Sequence, residues 1–113
     1  MPIAILSVDS INLNLNDFRG MEKKFDVVYY SVEANDIVEK LSEFVEFNVF
    51  WATSLLGPAK PEEKTLSVYQ RVQTAITMIK ELGVQSAMIV SHDSALKIWN
   101  PDVVSDTWEV IEM

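Results

Sequence analysis

The run Ala87-Met88-Ile89-Val90 offers solvent no polar face, and it stops abruptly at Ser91-His92-Asp93-Ser94. Four consecutive apolar residues between a helix-stopping glycine, Gly83, and a polar cluster read as a strand buried on both sides. Such a strand needs cover above and below, which implies a mostly parallel sheet with helices on its faces. Ile3 to Val8 repeats the pattern, apolar and rich in β-branched residues apart from Ser7, and ends at Asp9. In an open α/β sheet, ligands collect beyond the carboxyl ends of the parallel strands. Asp9 and the Ser91 to Ser94 cluster therefore stand where a site would form.

The remaining elements follow from periodicity. Ile11, Leu13 and Leu15 alternate with Asn12, Asn14 and Asn16, a period-two pattern with one wet face. With the turn residues around Gly20 and the β-rich run Phe25 to Tyr30, it predicts a hairpin over 11–30, directly after the first strand. Ser31 is placed to cap a helix over 32–44, drawn from the recurrence of Ala34, Ile37, Val38, Leu41, Phe44 and Val45 at helical spacing. Val45 to Ala52 reads as a strand ending in Thr53 and Ser54. The glycine and two prolines of 55–61 mark a loop, expected to be the most mobile segment. A second helix begins between Pro61 and Thr65 and runs to Gly83, with Val68, Val72, Ala75, Ile76, Ile79 and Leu82 as its stripe. Its other face, with Gln70, Arg71, Gln73, Thr74 and Thr77, is polar but hardly charged. A short helical turn over 95–99 and a final strand over 107–111 complete the chain. The expected fold is a single α/β domain over 1–113, a three-layer sandwich with a Rossmann-like sheet and helices on both faces.

Charge and composition exclude several functions. Seventeen acids against 9 bases give a net charge of −8, the opposite of the clustered Lys and Arg that phosphate contacts need, so nucleic-acid binding is not expected. The same charge suits a basic protein partner. The absence of cysteine removes disulfides, thiolate metal sites and a thiol nucleophile. The amino-terminal run carries no basic lead-in, and no apolar stretch reaches membrane length. A soluble, cytoplasmic protein with no membrane partner is the default expectation. As the only histidine, His92 has no second imidazole for a metal or catalytic cluster, and is read as a partly buried ring bonded to a backbone carbonyl.

Ile5-Leu6-Ser7-Val8-Asp9-Ser10, the predicted hairpin, the Tyr30 to Leu41 segment and Val49-Phe50-Trp51-Ala52-Thr53-Ser54 together resemble the front half of a haloacid dehalogenase-like domain. The resemblance implies Asp9 as the second aspartate of the first motif, Thr53 or Ser54 as the hydroxyl motif, Lys60 or Lys64 as the lysine, and Asp93 as the late acid. Asp9, Thr53 and Lys64 would then be the catalytic candidates, with Asp9 and Asp93 as ligands of a Mg²⁺ ion. Ser7, however, stands where the family's nucleophilic aspartate belongs, and the phospho-aspartyl route needs a carboxylate there. The stretches 5–13 and 89–94 also resemble the first and last acidic motifs of NYN or PIN-type ribonuclease domains. In that frame the middle helix lacks acids, offering Gln73 and Thr77, and Ala95 replaces the second late acid.

Both resemblances imply a depleted site with Asp9 and Asp93 as neighbours. The expected function is thus a small domain that has lost phosphatase catalysis and acts as a binding or regulatory protein with a protein partner. The alternatives are an active Mg²⁺-dependent hydrolase of a phosphate ester or RNA, and an acidic inhibitor of a nucleic-acid enzyme.

Overall fold

The computed structural model describes residues 2–9 and 24–112. Strand β1 (Pro2–Val8) is followed by β2 (Lys24–Ser31), a 3₁₀ turn (Val32–Ala34), helix α1 (Asn35–Leu41) and β3 (Glu46–Thr53). A second 3₁₀ turn (Ser54–Leu56), helix α2 (Thr65–Glu81), β4 (Ala87–His92), helix α3 (Asp93–Trp99) and β5 (Trp108–Glu112) complete the order. The fold is α/β, with one five-stranded sheet in the order β3-β2-β4-β1-β5. Every neighbouring pair is parallel except β1 with β5.

The apolar runs become strands because their alternate residues feed two separate cores. Ile3 and Ile5 of β1 and Ala87 and Ile89 of β4 pack with the α2 stripe Val68, Val72, Ala75, Ile76 and Ile79 and with Ala95 and Leu96 of α3. Ala4 and Leu6 of β1 and Met88 and Val90 of β4 pack instead with Val38 and Leu41 of α1. This double burial is why β1 and β4 carry no polar face. Truncating a fully buried member such as Ile76 to alanine would cost about 2–5 kcal/mol.

Three expectations change. The first arm of the predicted hairpin lies outside the described residues, and its second arm, Phe25 to Tyr30, is not a hairpin strand. That segment is β2, paired in parallel with β3 on one side and β4 on the other, so no edge remains for a hairpin partner. The helix expected over 32–44 is shorter, and the Ser31 hydroxyl bonds the Glu33 carboxylate instead of making a cap hydrogen bond. The first turn tightens to 3₁₀, and the α-helix proper ends at Leu41. Leu82, assigned to the α2 stripe, is exposed. It follows the last helical residue and precedes Gly83, whose φ of 68° turns the chain out of the helix. Among the described residues, no helix is long and apolar enough to cross a membrane.

Candidate functional site

Because β1 to β4 are parallel, Val8, Ser31, Thr53 and His92 end at one edge of the sheet. The adjacent strands β2 and β4 send the chain in opposite directions. From β2 it turns into α1, which packs in one core, and from β4 into α3, which packs in the other. Diverging connections between neighbouring parallel strands open a crevice at the switch point of the sheet. Ser31 and His92, the last residues of those two strands, meet there, with Ser31 Oγ 2.7 Å from His92 Nε2.

Counting protons orders this contact. Ser31 Oγ donates its hydrogen to Glu33 Oε2 at 2.7 Å. It can therefore only accept from His92, which fixes the proton on Nε2. The sequence of groups is carboxylate, hydroxyl, imidazole. A nucleophilic serine would instead donate to the imidazole, with the carboxylate behind the ring. Ser31 is also fully buried, so its oxygen has no path to a substrate. The trio is a hydrogen-bonded relay between an exposed carboxylate and a partly buried ring. The bond from Ser31, then the residue's own backbone N–H, holds the Glu33 carboxyl below the usual glutamate value. Burial pushes the His92 pKa down, outweighing the opposing pull of Glu33.

Glu33 also lines a cavity of about 310 Å³ together with Ser54, Gly57, Pro58, Lys60 and Arg71. Arg71 builds its wall. Its Nη1 donates to the carbonyls of Leu55 and Gly57 at 2.7 and 2.8 Å, and its Nη2 to that of Pro58 at 3.0 Å. Its Nε and Nη2 grip the two oxygens of Glu63 at 2.8 and 2.9 Å. This fork holds the Glu63 carboxyl down to about 2. Ser94 Oγ accepts from the Ala59 N–H, and Ser91 Oγ donates to the Leu56 carbonyl. The segment read as the most mobile is thus tied to α2, α3 and β4. Gly57 suits the closeness of this packing, since a Cβ there would lie 3.3 Å from the Ser54 carbonyl oxygen and 3.6 Å from Glu33 Oε2.

The residues named from sequence divide between two places. Strands β1 and β4 are neighbours, with Ser7 beside Ser91 and Val8 beside His92, so Asp9 and Asp93 follow adjacent strand ends. Strand β3 is at the sheet edge, so Thr53 pairs with Ser31 and is separated from β1 by two strands. Thr53 Oγ1 accepts from the Leu55 N–H and caps the 3₁₀ turn. Lys64 precedes α2, is exposed, and is not among the cavity's lining residues, whereas Lys60 is.

Asp93 opens α3 and is already engaged. Its Oδ1 accepts from Ser105 Oγ at 2.6 Å and from the buried Ser7 Oγ at 3.3 Å, and its Oδ2 lies 3.5 Å from Lys97 Nζ. The Asp9 backbone N–H donates to Asp106 Oδ1 at 2.9 Å. Hydroxyl donors and an ammonium around Asp93 do not fit Mg²⁺, which wants oxygen acceptors. Among the described residues, no three His, Cys, Asp or Glu side chains are grouped to hold an ion.

Comparison with known proteins finds no matching family model, no matching curated protein and no matching solved structure. Sequence reasoning passed over Ser31 and Glu33 as helix-start residues and gave His92 a backbone partner. The available signal was a serine closing a strand with a carboxylate two residues on. Only the pairing of β2 with β4 brings that serine to the histidine.

Proposed function

We propose that this domain is a non-catalytic binding or regulatory protein whose haloacid dehalogenase-like ancestry survives in its strand-end pocket. The observation that carries this reading is the state of the residue pair at the ends of β1 and β4. Ser7, standing in the nucleophile's place, is buried, and its hydroxyl is bonded to Asp93. A buried hydroxyl has no open path to a phosphate ester, and the Asp93 carboxylate that accepts its hydrogen also accepts from Ser105 and lies beside Lys97. The cavity between the 54–63 loop and Glu33 is the place for a small polar ligand, since it is lined by the Glu33 and Glu63 carboxylates, the Lys60 ammonium, the Arg71 guanidinium and the Ser54 hydroxyl.

The test is phosphatase turnover on a generic aryl phosphate with Mg²⁺, together with calorimetric titration of Mg²⁺ and Mn²⁺ into the protein. The expected result is no metal-dependent turnover and no binding heat. Robust turnover that disappears in Asp9→Asn would establish the hydrolase reading instead.

A further inference from the structure

We propose that the chain forms a two-fold dimer by antiparallel pairing of β3 with β3 of a second copy, joining two sheets into one. This inference is independent of the pocket's role. Among the described residues β3 pairs only with β2, so it is an edge strand with a row of backbone donors and acceptors turned outward. Its register with β2 keeps a constant offset from Lys24 opposite Glu46 to Ser31 opposite Thr53, so no bulge bends it away. Edge strands are ordinarily protected by charge, proline, bulges or shortness. This one has eight residues and none of those devices beyond Glu46 at its start.

Its side chains point the same way. Val49, Phe50 and Trp51 are 49%, 48% and 48% exposed. They are consecutive, so apolar surface flanks the edge on both faces of the sheet. Trp51 stacks on Tyr29 at 5.7 Å and Phe50 meets Phe47 edge-on at 5.4 Å, which holds these rings in place for a neighbour.

The neutral stretch around β3 suits a second copy as the occupant, since it offers a basic partner no countercharge. Two chains of charge −8 repel, and they can approach closely only through such uncharged surface. No Asp, Glu, Lys or Arg occurs between Glu46 and Lys60. The opposite edge, β5, has only five residues and carries Glu109, so like charge and shortness oppose growth there. Antiparallel pairing needs a two-fold axis normal to the sheet, through Val49 or through Phe50. The first places Glu46 opposite Ala52, the second opposite Ser54, and neither juxtaposes like charges. With one edge joined and the other acidic, the assembly closes at two copies.

Sedimentation velocity of the full chain over a concentration series tests this. The expected result is a monomer–dimer equilibrium that added salt shifts toward dimer, by screening the repulsion. Phe50→Lys sets like charges against each other near the axis and is expected to weaken dimerisation about tenfold or more. Val49→Lys should do the same, and circular dichroism would verify that both variants stay folded. Val110→Lys on β5 should leave the dimer intact. A monomer at every concentration, a dimer insensitive to both β3 lysines, or a dimer lost in Val110→Lys would overturn the proposal. So would a monomer that binds an added extended peptide along β3.

Discussion

Replacing Arg71 by leucine keeps most of the side chain's apolar bulk and removes five hydrogen bonds, three to loop carbonyls and two to Glu63. Hydrogen bonds to a charged group are worth about 1.5–3 kcal/mol each when isolated, but these share one guanidinium and are partly exposed. The expected net loss is about 2–4 kcal/mol, a large fraction of the stability of a small domain. The acid response should change as well. Glu63 is held down to about 2 from an ordinary 4.5, so the unfolded chain binds the extra proton between those values. Its contribution is complete above 4.5 and disappears as pH falls toward about 2. In Arg71→Leu that share of the acid destabilisation should be missing. Urea titrations followed by tryptophan fluorescence, at neutral pH and within the acid window, measure both effects. A loss below about 0.5 kcal/mol, typical of a surface position, would refute the clamp. An unchanged acid dependence would refute the role of Glu63 in it.

Other outcomes follow from single contacts. By imidazole NMR titration His92 should titrate below the ordinary histidine value, because burial disfavours its charge, and Glu33→Gln should lower it further by removing the opposing carboxylate. The linked stability is full above the unfolded value and declines as pH falls through it toward the folded one; a pKa at or above the ordinary value would contradict the dominance of burial over the pull of Glu33. Gly83→Ala should cost about 1 kcal/mol by thermal or urea unfolding, since φ is 68° and no atom lies within 4 Å of the new methyl. The penalty is then purely conformational, and Gly83→Asn should recover part of it. Asp93→Ala leaves the buried Ser7 hydroxyl without its acceptor, a cost of about 1–3 kcal/mol. Ser7→Ala in that background should restore part of the loss, and a fully additive double mutant would show that the two are uncoupled.

The chain by itself determined what depends on local pattern. Double-sided burial of Ala87 to Val90 and Ile3 to Leu6 made a parallel α/β sheet legible, and the spacing of Val68, Val72, Ala75, Ile76 and Ile79 located α2 with its stop at Gly83. Composition carries such information because each residue's burial preference acts over a few neighbours. Which strand lies beside which was decided by the tertiary structure alone. A continuous apolar run such as Phe25 to Tyr30 satisfies a hairpin arm and an interior parallel strand equally, and only long-range pairing with β3 and β4 separates them. The same pairing removed Thr53 to the edge and brought Ser31 to His92, and the fold aimed Arg71, from the polar face of α2, into carbonyls 13 to 16 residues away. Those contacts join groups that carry no mark of each other along the chain, and the order of the strands is what brings them together.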